Sequence, residues 1–219
     1  MTRLYGMDVG ADAVGRWAHA NQRVDAPVTA ETVEGGTGLV VCEVAGLREV
    51  GAMSWGFPRL TREMRLRGDP PGRIGLVADL TNPMWERVAV DPRHRCLIPM
   101  TRFANPGGEP GAKTRTWFSV RDEPLVAWAG FWRDTSEFEP VYSGMTMTAN
   151  GAVKPFNDRM PALLAADEHE RWLHGTVGDV IAFQFREPIA SERLSVQPTR
   201  DLWRNGAPPV GGDRQFALL

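Results

Sequence analysis

Short apolar runs bounded by Gly, Pro and Asn dominate this chain, and apolar positions fall at helical spacing in only a few places. The pattern therefore predicts many strands and a few short helices. Leu4 to Met7 reads as a strand start, and Gly10 to Asn21 as a helix with Val14, Trp17 and Ala18 on one face and Asp12 as its cap. Residues 23 to 37 show no period and read as a long loop. Gly38 to Val44 and Val50 to Gly56 flank a turn at Gly46 and predict an antiparallel hairpin that ends at Trp55-Gly-Phe-Pro58. Residues 59 to 75 set Arg59, Arg62, Arg65, Arg67 and Arg73 among Gly and Pro, the composition of a solvated loop that can also track phosphates.

Leu80 to Glu86 predicts a turn into a short helix, and Arg95 to Phe103 an apolar strand that Asn105-Pro-Gly-Gly108 breaks. Strands over Arg115 to Val120, Leu125 to Trp132 and Val141 to Ala149 form an antiparallel meander. Asp167 to Leu173 and Thr176 to Phe185 are helical, and a strand near Leu194 to Gln197 closes the fold. Without a repeat or a shift in composition, the economical reading is one α+β domain over residues 1–198, built on a mostly antiparallel sheet, with 199–219 an irregular Gly/Pro-rich tail.

One stretch resists this patterning. In Lys154 to Leu164, Pro155 and Pro161 bracket Asn157, Asp158 and Arg159, so the segment is neither regular helix nor central strand. A turn with a local Asp158–Arg159 ion pair is the plain reading, and a functional loop is the other.

Composition narrows the classes. A net charge of -2 excludes a protein that coats nucleic acid by bulk electrostatics, leaving only local arginine clusters for that purpose. Cys42 and Cys96 stand inside apolar runs, as small buried hydrophobes of a reducing, cytoplasmic compartment. The first 20 residues lack the features of a signal peptide, and no run reaches the ~20 apolar residues of a membrane span. His19, His94, His169 and His174 have no zinc-ligand spacing and read as surface residues, so no metal is expected. Dinucleotide, phosphate-loop and nucleophile-elbow motifs are absent, which removes those enzyme classes and their cofactors.

Met1-Thr-Arg-Leu-Tyr5, Met53-Ser-Trp-Gly-Phe-Pro58, Leu80-Thr-Asn-Pro-Met-Trp85, Arg95-Cys-Leu-Ile-Pro99, Thr101-Arg-Phe103, Ala129-Gly-Phe-Trp132, Thr146 to Asn150 and Asn157-Asp-Arg-Met-Pro161 occur in an order that resembles the SOS-response-associated peptidase (SRAP) family. The resemblance spans residues 1 to about 185. It implies a single α+β domain around a curved, mostly antiparallel sheet with peripheral short helices. It also implies binding of single-stranded DNA, crosslinking of abasic sites through an N-terminal cysteine, and removal of an N-terminal extension.

Four positions depart from the family's chemistry. Thr2 stands where the family has its cysteine, Leu76 where it has asparagine, Asn105 where it has glutamate and Asn157 where it has histidine; the family's nearby arginine is Ala78. A hydroxyl cannot replace the thiolate, and neither asparagine titrates near neutral pH. With Met1 in place, the Thr2 amine is also locked in a peptide bond. Trp55, Thr146 and Arg159 match positions that line the family's DNA groove, Trp55 suited to stacking on a base and Arg159 to a phosphate. The expectation is a catalytically inactive homologue that keeps a single-stranded-DNA groove. The alternatives are activity retained through Thr2 or a displaced residue, and a protein-interaction module using the old groove.

Overall fold

The tightest local structure is the hairpin of β4 (Thr37–Val44) and β5 (Leu47–Trp55). Its two-residue turn places Ala45 and Gly46 in the left-handed region, at φ 52° and 79°. Two successive left-handed residues match the twist of the flanking strands, and the glycine takes the second at no steric cost. In this computed structural model, which describes residues 3–22, 29–134 and 139–203, the hairpin anchors the larger of two sheets.

That nine-stranded sheet runs β14-β13-β12-β9-β4-β5-β2, with β8 and β15 paired alongside. Here β2 is Asn21–Gln22, β8 Leu76–Val77, β9 Arg95–Met100, β12 Val126–Arg133, β13 Val141–Thr148, β14 Arg159–Pro161 and β15 Leu163–Leu164. The second sheet, five strands in the order β16-β11-β10-β1-β3, comprises β1 (Leu4–Gly6), β3 (Glu31–Val33), β10 (Arg102–Gly107), β11 (Thr114–Val120) and β16 (Leu194–Leu202). Both are curved and mostly antiparallel, and together they form one α+β domain. Short helices flank them: α1 (Ala11–Ala18), α2 (Arg62–Arg67), α3 (Glu86–Val90), α4 (His169–His174) and α5 (Val177–Phe185).

The sheets meet through aromatic rings. Tyr5 of β1 lies edge-on to Trp55 and Trp128 at 5.3 and 6.1 Å, and its hydroxyl meets that of Tyr142 at 2.6 Å. Close approach is needed here: a Cβ on Gly144 would stand 2.0 Å from the Trp128 ring. Arg95, fully buried, donates to the carbonyls of Trp172 and Gly175 at the end of α4 and of Ala89 in α3, where unpaired helix carbonyls favour a cation.

Several expectations change. Gly10 caps α1 without a side-chain bond, so Asp12 sits in the first turn instead of capping it, and the helix stops at His19 in the left-handed region. The loop expected over 23 to 37 carries β3 and the start of β4, and residues 23–28 lie outside the described set. The arginine-rich run is no simple loop: β6 (Phe57–Arg59) and β7 (Gly72–Ile74) pair, with α2 between them. Thr61 caps α2 by accepting from the Met64 N–H, and Gly68 ends it at φ 69°. Asn105-Pro106 does not break its strand, and a bend at Thr101 instead passes the chain from one sheet to the other. The expected meander also divides, since β11 pairs with β10 and β16, leaving only β12 and β13 as sequential neighbours. β16 runs on to Leu202, and residues 204–219 are not described. Cys42 and Cys96, register partners on β4 and β9, are buried and form no disulfide, and burial pushes the Cys96 thiol well up. His169 is buried against Trp17, against the expectation of a surface histidine.

Candidate functional site

The polar cluster lies where β14, the edge of the larger sheet, pairs with β13: Thr146 faces Pro161 and Thr148 faces Arg159. An edge strand tolerates a proline because its outer side needs no ladder donor. The preceding turn is held by Asn150, whose side chain accepts from the Val153 N–H at 3.1 Å. It delivers Asn157, whose Oδ1 accepts from the Arg159 N–H at 3.2 Å and whose Nδ2 donates to Oδ1 of Asn105 at 3.0 Å. Asn105 comes from β10 of the other sheet and has no exposed surface. Asn105 and Asn157, 52 residues apart in the chain, are thus in direct contact. Amides exchange hydrogen bonds and do not exchange protons at neutral pH.

Arg159 turns away from Asp158. Its Nη2 donates to the carbonyls of Ala78 at 2.7 Å and Thr146 at 2.6 Å, and both Nη2 and Nε reach the Thr146 hydroxyl, at 3.2 and 3.3 Å. Among the described residues no ion pair joins it to Asp158, which is exposed. Desolvation lowers the Arg159 pKa while the nearby Asp79 acts in the opposite sense. Asp79 is itself lowered by hydrogen bonds from the Thr81 side chain and backbone, so it is an anion at neutral pH. Thr146, wholly buried, donates to the Val77 carbonyl at 3.4 Å. Arg159 and Thr146 together tie β8, the strand of Leu76, to β13.

Trp55 is fully buried. Its indole N–H donates to the Gly75 carbonyl at 2.8 Å, and its ring packs on Tyr5, Trp128 and Tyr142. No face of it is open to a base in this structure, so the geometry gives it a core role. Thr2 lies outside the described residues. Arg3 follows it and stands 3.6 Å from the carboxylate of Glu34, which also accepts the Gly75 N–H at 2.6 Å. Sequence reasoning passed over Glu34 because it sits in a stretch without periodicity, where Glu31 and Glu34 among threonines and glycines gave no signal.

Asn105 thus touches Asn157, while Arg159 and Thr146 bond the carbonyls of Ala78 and Val77 next to Leu76. Next to Leu76 a cleft of about 410 Å³ opens between the β6–β7 hairpin and the segment that leads into α3, lined by Ile74, Leu76, Ala78, Met84 and Trp85, with Arg59, Asp79 and Asn82 also lining it. Arg62, Arg65, Arg67 and Arg73 are exposed on the same hairpin and its helix. Among the described residues no group of His, Cys, Asp and Glu side chains could hold a metal, and no helix is long and apolar enough to cross a membrane.

Comparison with known proteins gives the family and the fold. The family model for the SOS response associated peptidase (SRAP) matches residues 12–202. No match was found among curated proteins. Solved structures share the fold. A protein from Bordetella bronchiseptica superposes with a TM-score of 0.74 at 19% identity, covering 90% of this chain and 99% of its own. A Bacteroides thetaiotaomicron protein gives 0.71 at 18% identity, covering 89% and 90%. A phage-related protein from Bordetella bronchiseptica gives 0.66 at 18% identity, covering 92% and 95%.

Proposed function

Since the chain belongs to the SOS response associated peptidase (SRAP) family, whose setting is the response to DNA damage, we propose that it is a single-stranded-DNA-binding member that has lost the family's abasic-site crosslinking. The observation that carries this reading is the Asn157–Asn105 hydrogen bond of 3.0 Å. At the two places where protons would have to move, the side chains are amides joined by one hydrogen bond. Binding is supported by the arginines. Arg59, Arg62, Arg65, Arg67 and Arg73 lie exposed along the hairpin that borders the site, and phosphate contacts need no sequence readout.

Two measurements test it. Fluorescence anisotropy should show single-stranded DNA bound at low salt, with affinity falling linearly on a logarithmic salt axis and weakening in Arg62→Ala/Arg65→Ala. Incubation with abasic single-stranded DNA should leave no covalent adduct on a denaturing gel or by intact mass. An adduct that disappears in Thr2→Ala would overturn the inactive assignment. If only the chemistry is missing, Thr2→Cys, Asn105→Glu and Asn157→His combined in a protein lacking Met1 should restore crosslinking.

One observation favours a second reading, activity through a displaced group. Glu34 places a carboxylate beside Arg3, one residue along the chain from Thr2. In that case the adduct forms with the wild-type protein and is lost in Glu34→Gln.

A further inference from the structure

The cleft beside Leu76 has a character that neither phosphate binding nor sugar chemistry explains. The apolar half of its lining is Ile74 and Leu76, both half-buried, Ala78, the buried Trp85, and Met84, which is 44% exposed. A thioether at the lip is flexible and polarizable and adapts to the face of a ring. The polar half comes from Arg59, Asp79 and Asn82, which are partly committed. Asn82 Oδ1 accepts from the Met84 N–H at 3.1 Å, which leaves its amide nitrogen as a donor. Asp79 Oδ1 takes the Thr81 N–H and hydroxyl at 2.9 and 2.7 Å, which leaves Oδ2 as an acceptor. Arg59 completes the lining and is exposed. A slot of this size with an apolar wall, an amide donor, a carboxylate acceptor and the Arg59 cation at its edge suits a planar heterocycle attached to a phosphate chain.

We propose that this cleft takes one intact, unstacked base of a single strand, so that the protein favours strands that carry bases over strands that lack them. The inference rests on the DNA-binding reading above and names what the site selects. Leu76 is the residue that sets the preference. A sugar without its base would leave Leu76, Ile74 and Ala78 uncovered, whereas a base buries its faces there and meets Asn82 and Asp79 with its edge. The Ala78 carbonyl is already taken by Arg159, so the wall shared with the polar cluster is fixed in place.

The test compares an oligothymidylate with a strand of equal length and charge in which every internal residue is a tetrahydrofuran abasic analogue. Equal charge holds the phosphate contribution constant, and a fully abasic interior prevents the strand from sliding to offer a base. Wild-type protein should bind the oligothymidylate about tenfold more tightly, the scale of one base contact. Leu76→Asn and Met84→Ala should each bring the ratio toward one, with the salt slope unchanged because the phosphate contacts remain. Met84 is exposed enough that its variant folds even if Leu76→Asn does not. A wild-type ratio near one, with both strands bound, overturns the base pocket and leaves the DNA-binding reading standing. A wild-type preference that both variants keep also overturns it, since the selection then lies elsewhere. Failure to bind either strand removes the DNA-binding reading itself.

Discussion

Replacing Arg159 by alanine separates two accounts of the turn that carries it. If Arg159 paired with Asp158 at the surface, its loss would cost a few tenths of a kcal/mol, about the worth of an exposed ion pair. The structure gives it other work: two short bonds from Nη2, to Ala78 at 2.7 Å and to Thr146 at 2.6 Å. Bonds made by a charged donor are worth about 1.5–3 kcal/mol each, but the two losses are unequal. The Thr146 carbonyl keeps the Gln184 side-chain amide at 3.2 Å, while the Ala78 carbonyl loses its partner and, being half-buried, is only partly open to water. Some of the gross loss returns because the desolvation that lowers the Arg159 pKa disappears with the cation. The net cost is about 2 kcal/mol, close to one charged bond. For a chain of this size that is a fall of about 4–8 °C in Tm. Urea denaturation of wild type, Arg159→Ala, Arg159→Lys and Asp158→Ala provides the assay. Lysine cannot reproduce the planar fork and should recover less than half. Asp158→Ala should stay within about 0.5 kcal/mol of wild type. Equal destabilisation by Arg159→Ala and Asp158→Ala, or none by either, would refute the reasoning.

Three further outcomes are expected. Desolvation raises the Glu43 pKa, but hydrogen bonds from His174 and Arg48 lower it more. With its folded pKa below the unfolded value, Glu43 stabilises the fold above the usual glutamate pKa, and that share is lost as pH falls through the depressed folded value. Thermal melts from pH 7 to 3 should therefore show the deficit of Glu43→Gln largest at neutral pH and closing in acid. A Cβ on Gly38 would stand 2.0 Å from the Tyr5 hydroxyl and 2.3 Å from that of Tyr142, so Gly38→Ala must part a buried pair now 2.6 Å apart. Overpacking plus a stranded hydroxyl should cost on the order of 3 kcal/mol in chemical denaturation. Cys42 and Cys96 are 3% and 0% exposed, so a thiol reagent should label neither in the native protein and both in urea.

Much of the architecture was legible in the chain because it is locally encoded. The β4–β5 hairpin announced itself through apolar runs around Gly46, and α5 through Thr176, whose side chain accepts from the Asp179 N–H. The misread stretches are those where a neighbour decides. Pro106 looked like a strand breaker, yet it stands beyond the last pair of β10 with β1, Ala104 with Leu4, where only β11 remains to bond the strand. The α2 signals, Thr61 before and Gly68 after, were present but hidden in a run whose charge suggested solvent.

The same division holds at the site. Sequence alone determined the chemistry: Asn105 and Asn157 cannot titrate whatever surrounds them, and Leu76 cannot hydrogen-bond a sugar, because those limits belong to the side chains. Tertiary structure decided the rest. It drew Asn105 and Asn157, 52 residues apart, into one hydrogen bond, turned Arg159 from Asp158 to the carbonyls of Ala78 and Thr146, closed Trp55 into the aromatic core, and opened the cleft beside Leu76. Each depends on strands distant in sequence meeting at a particular register, and register is set by the packing of two sheets against each other, which no local pattern encodes.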